Sequence, residues 1–589
     1  MMTTGTGGIR RLYATFWHHT EGARGLVATF LAMLFVAQAV RLSIPYFFGE
    51  AVNALQDTGV QDLERALWCM GLTFGAAVLG WALHGPARVM ERFTALRVRG
   101  RFADRLYAKL TELPLGWHER HHSGDTIQRM GKATQALFGF SQHQFVYLQN
   151  VVNLIGPIAA LLVISTATGA AALVGYALIL LVLVRFDRAM VRLLHEENRR
   201  EGRYMAELVD CLGNVGTVLT LRLQAATRRV IGERLAAVFL PVRRHIVVHE
   251  AKWCAIDLAN NGLRTGLVVL YAWLAWRDGG IVPLGTAVMV HQYAQQLGTV
   301  VGTMATHWQD LMRHQADLAG ADPILDATPR AGSAAGPIPA DWREIRVDAL
   351  DFHHAGRPAL SGVGLTLGRG ARVALVGESG SGKSTLLRVL AGLYEAERAA
   401  FTVDGAARPD LRDLGAIATL VPQDPEIFES TVRQNVTMGI DYPVAEVARA
   451  CRLAQLGPVL ERLPQGLDTP ISERGFNLSG GQKQRLALAR GILASRACSL
   501  IMLDEPTSSI DPTTELTIYD GVLDAFHDAC VVSAVHRLHL LTRFTHVVLM
   551  ADGRMVDAGT LGELLARQPR FQAMWGNYHG APQSASAAA

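Results

Sequence analysis

Eight residues of this 589-residue chain, Gly377-Glu378-Ser379-Gly380-Ser381-Gly382-Lys383-Ser384, have the spacing G-x-x-x-x-G-K-S. Glycines at these positions let backbone N–H groups close around phosphate oxygens. Lys383 carries positive charge to the β- and γ-phosphates of a nucleotide, and the Ser384 hydroxyl is a ligand for Mg²⁺. The flanking sequence supplies the context that such a loop needs. Ala371–Val376 is a short apolar run that predicts a strand, and Thr385–Leu393 continues as a helix. A helix starting at the loop offers unpaired N–H groups and a favourable dipole to an anion.

The elements that must carry this loop are of two kinds. Half of the residues are hydrophobic and only 18% are charged, against about 25% in soluble domains. The mean hydropathy of +0.19 points to a chain partly dissolved in lipid. A net charge of +4 gives no sign of a nucleic-acid partner. The six cysteines (69, 211, 254, 451, 498 and 530) have neither CxxC nor regular spacing, so they read as small buried hydrophobes in a reducing compartment. Arg10, Arg11 and Arg24 precede the first apolar run with no A-x-A cleavage site, which reads as a signal anchor.

Six apolar segments of about 20 residues are candidate spans: Leu26–Phe48, Ala66–Leu83, Tyr147–Thr166, Ala171–Val184, Ala255–Trp276 and Leu284–Thr306. The third and fourth are close enough to force a tight helical hairpin. Arg88 to Lys132 holds ten Lys or Arg, and Arg185 to Lys252 is similarly basic, whereas Glu50, Asp57, Asp62 and Glu64 follow the first span. The positive-inside rule then puts both termini and both long loops in the cytoplasm. The expected location is the bacterial cytoplasmic membrane, with the nucleotide-binding part inside the cell. Both long loops have few helix breakers, so the spans should run well beyond the bilayer as helices.

Polar residues within the spans suggest a pathway. Asp257, Asn261 and Arg264 recur at i, i+4 and i+7 and share one helix face. His291, Gln292, Gln295 and Gln296 mark the sixth span, Gln149, Asn150 and Asn153 the third, and Gln38 and Arg41 the first. Such groups are costly in hydrocarbon and should face the bundle interior or water. One reading is a hydrophilic cavity, positive at Arg41 and Arg264, for a polar or anionic substrate. The other is interhelical hydrogen bonding, with Arg264 paired to an acid. His118, His121 and His122 read as wet surface residues rather than a metal site, since no second ligand cluster accompanies them.

Leu478-Ser479-Gly480-Gly481-Gln482 then decides among nucleotide-hydrolysing proteins. This is the signature of ATP-binding cassettes, and the chain resembles ABC transporters of the exporter type (type IV fold). The resemblance covers nearly all of the chain and is most specific from Leu350 to Gly559. It implies an α-helical six-span membrane domain followed by an α/β P-loop NTPase domain. The expected bounds are 1–325 for the membrane domain, 326–340 for a linker, 341–578 for the ATPase, and 579–589 for a disordered tail.

By this resemblance the cofactors are ATP and Mg²⁺. Asp504, at the end of the apolar run Leu500–Leu503, holds Mg²⁺, and Glu505 is the general base for the attacking water. Gln423 touches Mg²⁺ and links the site to the membrane domain, while His536 contacts the γ-phosphate. Ser508–Asp511 is the loop that crosses between subunits. The signature, through Ser479 and Gly480, meets ATP held by a partner's phosphate loop. His354 occupies the position of an adenine-stacking aromatic, and Phe352 reads as strand core. Ser472-Glu473-Arg474-Gly475 resembles the motif that senses coupling helices, with serine for its usual first glycine. Coupling regions are expected at Leu113–Arg120, followed by Ser123-Gly124-Asp125, and at Asp210–Val218. One ATPase half implies a dimer in the bilayer, with a second copy favoured over a related half-transporter. Alternating access for export is the implied mechanism. An importer on the same fold is the alternative, whereas a soluble cassette protein would lack the spans.

Overall fold

The computed structural model describes residues 5–56, 60–121, 123–330, 337–354, 356–472 and 477–580. Two compact units form. One contains the chain up to Glu112 and His121–Thr328; the other contains Leu113–Arg120 and the chain from Pro329.

The first unit is helical: α1 (Gly5–His19), α2 (Arg24–Leu42), α3 (Ile44–Gln56) and α4 (Val60–Glu112) lead to a short α5 (Leu115–Arg120). Beyond it come α6 (Ser123–Gln142), α7 (Gln144–Ile164), α8 (Thr166–Gly213), α9 (Val215–Thr220), α10 (Gln224–Gly279), α11 (Leu284–Ala319) and α12 (Asp322–Leu325). At 1.5 Å per residue α4 is about 80 Å long, far more than the roughly 30 Å of bilayer hydrocarbon. The expectation that the spans outrun the bilayer therefore holds. The first span is broken at Ser43, where Pro45 follows within the new helix. The predicted hairpin turns on Ser165 alone, whose Oγ accepts from the Thr168 N–H at 3.3 Å. Gly169 makes that turn possible, since a Cβ there would lie 2.6 Å from the Leu162 backbone.

Exposed Leu67, Trp68, Phe74 and Trp81 on α4 present apolar surface outward, as a helix in lipid requires. Among the described residues, four helical stretches are both long and apolar enough to cross a membrane: Arg24–Gln56, Asp62–Glu112, Gln144–Ile164 and Thr166–Gly213. The expected fifth and sixth spans lie on α10 and α11, which are long enough but fall short in apolarity. Their polar residues, Asp257 to Arg264 and His291 to Gln296, dilute the apolar run.

The second unit contains two sheets. β1 (Glu344–His354), β2 (Arg357–Gly368), β4 (Arg398–Val403) and β5 (Ala406–Arg408) form an antiparallel sheet in the order β2-β1-β4-β5. β3 (Arg372–Val376), β6 (Ala418–Val421), β7 (Leu500–Asp504), β8 (Cys530–Ala534), β9 (His546–Ala551) and β10 (Arg554–Gly559) form the other, ordered β10-β9-β3-β8-β7-β6. All neighbours in it pair in parallel except β10 with β9. Alternate residues feed separate cores on its two faces: Ala374, Val376, Ile501 and Leu503 on one, Val373, Leu375, Leu500 and Met502 on the other. The helices are α13 (Lys383–Leu390), α14 (Val432–Thr437), α15 (Val444–Leu453), α16 (Gly457–Leu460), α17 (Gly480–Ala494), α18 (Pro512–Ala525), α19 (Leu561–Arg567) and α20 (Pro569–Gly580).

Two expectations need correction. The helix expected to reach Leu393 stops at Leu390, because Gly392 takes φ +66° and the Gly392 and Leu393 amides bond back to Val389 and Arg388. Of the six cysteines only Cys451 and Cys530 are buried, and Cys254 is exposed. Part of the linker (331–336) and most of the tail (581–589) lie outside the described residues.

Candidate functional site

In an open parallel sheet, ligands sit beyond the carboxyl ends of the strands. Here β3 runs into the phosphate loop, β7 ends at Asp504, β8 is followed by Val535-His536, and β6 by Pro422-Gln423. Parallel register aligns those ends: Leu375 and Asp504 both pair with Ala534, and Val421 pairs with Leu503. Motifs scattered over 160 residues of sequence therefore meet at one edge.

The loop closes tightly. A Cβ at Gly377 would lie 2.2 Å from the Met550 carbonyl oxygen, and Gly380 and Gly382 take φ of +82° and +100°. Lys383 Nζ donates to the carbonyls of Gly377 at 2.8 Å and Glu378 at 3.0 Å, and to Ser381 Oγ at 3.5 Å. Burial pulls the Lys383 pKa down, while Glu505 and Asp504 pull it up. Ser384 Oγ donates to Asp504 Oδ1 at 2.8 Å, and Gln423 Nε2 donates to Glu505 Oε2 at 3.2 Å. Hydroxyl, carboxylate and amide oxygens are the donor set that a hard divalent cation takes. Glu505 and His536 line one cleft of about 180 Å³ together with Ser508 and Arg537.

Asp504 is only 2% exposed, and its burial raises its pKa. A raised carboxyl means that folding disfavours the charged form. That penalty is complete above the folded pKa and vanishes below the unfolded value. Asp504→Asn keeps an acceptor for Ser384 and removes the desolvated charge, and with it the penalty that burial imposes on the carboxylate. The expected result at neutral pH, without nucleotide or metal, is a melting temperature several degrees higher, with ATP hydrolysis lost. A melting temperature that falls would show that the carboxylate supports the fold.

The signature opens α17, and Ser479 and Gln482 form a reciprocal capping box there, with Ser479 N–H donating to Gln482 Oε1 at 2.9 Å. Gly481 needs its hydrogen, since a Cβ would lie 2.9 Å from the Ser509 carbonyl. Sequence reasoning missed the residues that hold this region together. Gln484, one turn into α17, donates to Ser508 Oγ and accepts from Ser509 N–H, both at 2.7 Å. Arg537, beside His536, donates to the Ile510 carbonyl at 2.7 Å and to Glu515 at 3.0 Å. Asp511 caps α18 by accepting from Thr514 N–H at 2.9 Å. Signature, crossing loop and His536 strand end thus form one network. Gln484 and Arg537 could have been found from their adjacency to the motifs.

His354 is exposed at the end of β1, its ring 6.0 Å from that of Tyr394. Phe352 is buried and stacks on Tyr394 at 5.1 Å, in the core as expected. Tyr394, also missed, hydrogen-bonds Glu119 of the first coupling region, where Trp117 is buried. In the second region α9 buries no residue, and Val215 and Leu219 are exposed. Ser472 Oγ donates to Asn477 Oδ1 at 3.2 Å, whereas Glu473, Arg474 and Gly475 lie outside the described residues, as does His122. Among the described residues no group of three or more His, Cys, Asp or Glu gathers as a metal site.

In the helical unit, Asp257, Asn261 and Arg264 of α10 join Gln295 and Thr299 of α11 around a cleft of about 310 Å³. Arg264 Nη2 donates to Asn261 Oδ1 at 2.5 Å, so this bond goes to an amide and not to the acid that the interhelical reading offered. The other predicted cavity residues lie elsewhere. The Arg41 guanidinium lies 5.0 Å from the Trp81 ring, and Gln149, Asn153 and the exposed His291 do not line this cleft.

Comparison with known proteins fits this geometry. The ABC transporter transmembrane region matches residues 27–250, and the ABC transporter ATPase family matches residues 360–508. The chain is 25% identical over 565 residues to the ATM1-type heavy metal exporter of Novosphingobium aromaticivorans, covering 92% of this chain and 91% of the other. It is 27% identical over 581 residues to the mycobactin import ATP-binding/permease protein IrtB of Mycolicibacterium thermoresistibile, covering 95% of each. A solved structure of a bacterial Atm1-family ABC exporter with ATP bound superposes with a TM-score of 0.80 at 24% identity, covering 96% of this chain and 99% of that one.

Proposed function

Since this chain belongs to the ABC transporters, as a half-transporter of the exporter type that couples ATP hydrolysis to transport, we propose that two copies of it export a polar, anionic solute across the bacterial cytoplasmic membrane. The reading rests on one observation above the rest. Arg264 lies in the α10–α11 cleft beside Asp257, amides and hydroxyls, and among the described residues its hydrogen bond goes to the Asn261 amide rather than to a carboxylate, which leaves its charge available to a ligand.

In this reading Glu505 takes the proton of the attacking water, Lys383 and the loop amides hold the β- and γ-phosphates, and His536 meets the γ-phosphate. Ser384, Asp504 and Gln423 would hold Mg²⁺, which supplies charge neutralisation at the phosphates. Ser479 and Gly480 reach ATP on the partner, with Asp511 at the crossing. The intact set of hydrolytic residues favours a homodimer. The bare apolar tip at α9 supports a second chain as its cover.

The test is uptake into vesicles of known orientation, using a panel of anionic, neutral and cationic solutes that includes thiol conjugates of metals. ATP-dependent accumulation of an anion in inside-out vesicles is expected. Arg264→Ala should raise its half-saturating concentration about tenfold, the scale of one charge-assisted contact. Accumulation of only cationic or apolar solutes would refute the substrate class. Accumulation only in right-side-out vesicles would reverse the direction, as the mycobactin importer's name illustrates for one relative.

A further inference from the structure

The turn between α1 and α2 holds a further polar cleft, lined by none of the motif residues above. It has a volume of about 430 Å³ and is lined by His18, His19, Glu21, Gly22, Arg101 and Arg105. Arg101 and Arg105 are four apart on α4, so both guanidinium groups lie on one face. Arg101 is fixed by donating to the carbonyls of His19 (3.2 Å) and Glu21. Arg105 is exposed and, among the described residues, makes no ion pair or hydrogen bond. His19 is 5% exposed: its Nδ1 is engaged by the Thr15 carbonyl at 2.8 Å, while its Nε2 is buried without a partner among the described residues.

The setting is a membrane surface. On α1, Leu12, Phe16 and His19 are buried, whereas Tyr13 and Trp17 are exposed on a different face. Trp17 also lies under the Arg24 guanidinium, at 5.3 Å, where the first span begins. An amphipathic helix with exposed aromatics and adjoining arginines is what lies at the headgroup level of a bilayer.

We propose that this cleft binds the headgroup of an anionic glycerophospholipid, of which phosphatidylglycerol is the type. The two arginines take the phosphate. With its Nδ1 hydrogen directed to Thr15, His19 walls the cleft and its carbonyl holds Arg101 in place. Glu21 accepts a headgroup hydroxyl. Two guanidinium groups and one carboxylate leave one net positive charge, which matches a singly charged headgroup better than a zwitterionic one. The site is separate from the α10–α11 cleft and serves the surrounding lipid, so lipid retention reads it without reference to transport.

The test is native mass spectrometry on the full-length, delipidated protein in detergent, offered equal amounts of phosphatidylglycerol, phosphatidylethanolamine and phosphatidylcholine. Wild type should retain phosphatidylglycerol preferentially. Arg105→Ala should lower its retention about fivefold, the effect of one cation near an anionic headgroup, and Arg105→Lys should keep most of it. Arg97→Ala removes an equal charge from the same helix outside the cleft and should leave retention unchanged. Equal loss in Arg97→Ala would reduce the effect to diffuse attraction and overturn the site. Equal retention of all three lipids would do the same. Displacement of the lipid by millimolar inorganic phosphate would assign the arginines to a soluble anion instead.

Discussion

Glu505→Gln stops steady-state ATP hydrolysis, by at least about 10²-fold, the range that a positioned general base contributes, and leaves ATP bound. The substitution is chosen to change one property. Glu505 follows directly on β7 and holds a left-handed backbone, φ +46°, a strained conformation that the strand and its neighbours impose. Its carboxylate accepts from Gln423 Nε2 at 3.2 Å. A side-chain amide has the same shape and retains an oxygen for Gln423, so the cleft beside His536 persists. It cannot take a proton from water. ATP therefore enters and stays, and a dimer that closes on ATP accumulates in the closed state, because a ligand shifts a conformational equilibrium by its differential affinity for the two states. Size-exclusion chromatography of the isolated ATPase unit is not needed; cross-linking of the full-length chains with and without ATP reads the same closure. Undiminished turnover in this variant would remove Glu505 from the role of base.

The legibility of the two units differed for a physical reason. Chemistry in the sheet unit sits on loops that leave strand ends directly, so Asp504, Glu505, Gln423 and His536 could be assigned from the few residues before each. What sequence order concealed was the pairing across loops. Gln423 bonds Glu505 from 82 positions away, and Gln484 braces Ser508 and Ser509 from another element. In the helical unit the 3.6-residue period placed Asp257, Asn261 and Arg264 on one face, and they share a cleft. Which face of another helix meets them depends on rotation about each axis, set by packing. Arg41, Gln149, Asn153 and His291 were therefore grouped by chemistry alone, and the grouping failed for this cleft. The lipid-facing cleft joins residues 18–22 to 101–105 and leaves no local pattern at all.

Lys383→Met should have the second large effect, on binding rather than turnover. The ammonium is 6% exposed and donates to the Gly377 and Glu378 carbonyls, inside a loop whose amides otherwise present hydrogens to phosphate. Burial works against its charge, and Asp504 and Glu505 sustain it. Methionine fills a similar volume without a charge that burial already disfavours, so the fold loses little. The phosphates lose a charge-assisted partner, worth about 1.5–3 kcal/mol, or roughly 10- to 100-fold in ATP affinity. Equilibrium binding of a fluorescent ATP analogue to the full-length protein, beside its melting temperature without nucleotide, separates the two effects. Unchanged affinity would count against Lys383 as a phosphate ligand, and a collapsed melting temperature would make its role structural. Combined with Glu505→Gln, the same substitution should also abolish the ATP-locked dimer at ATP concentrations that saturate the single variant. The lock requires bound nucleotide, and Lys383 acts before Glu505 in that sequence.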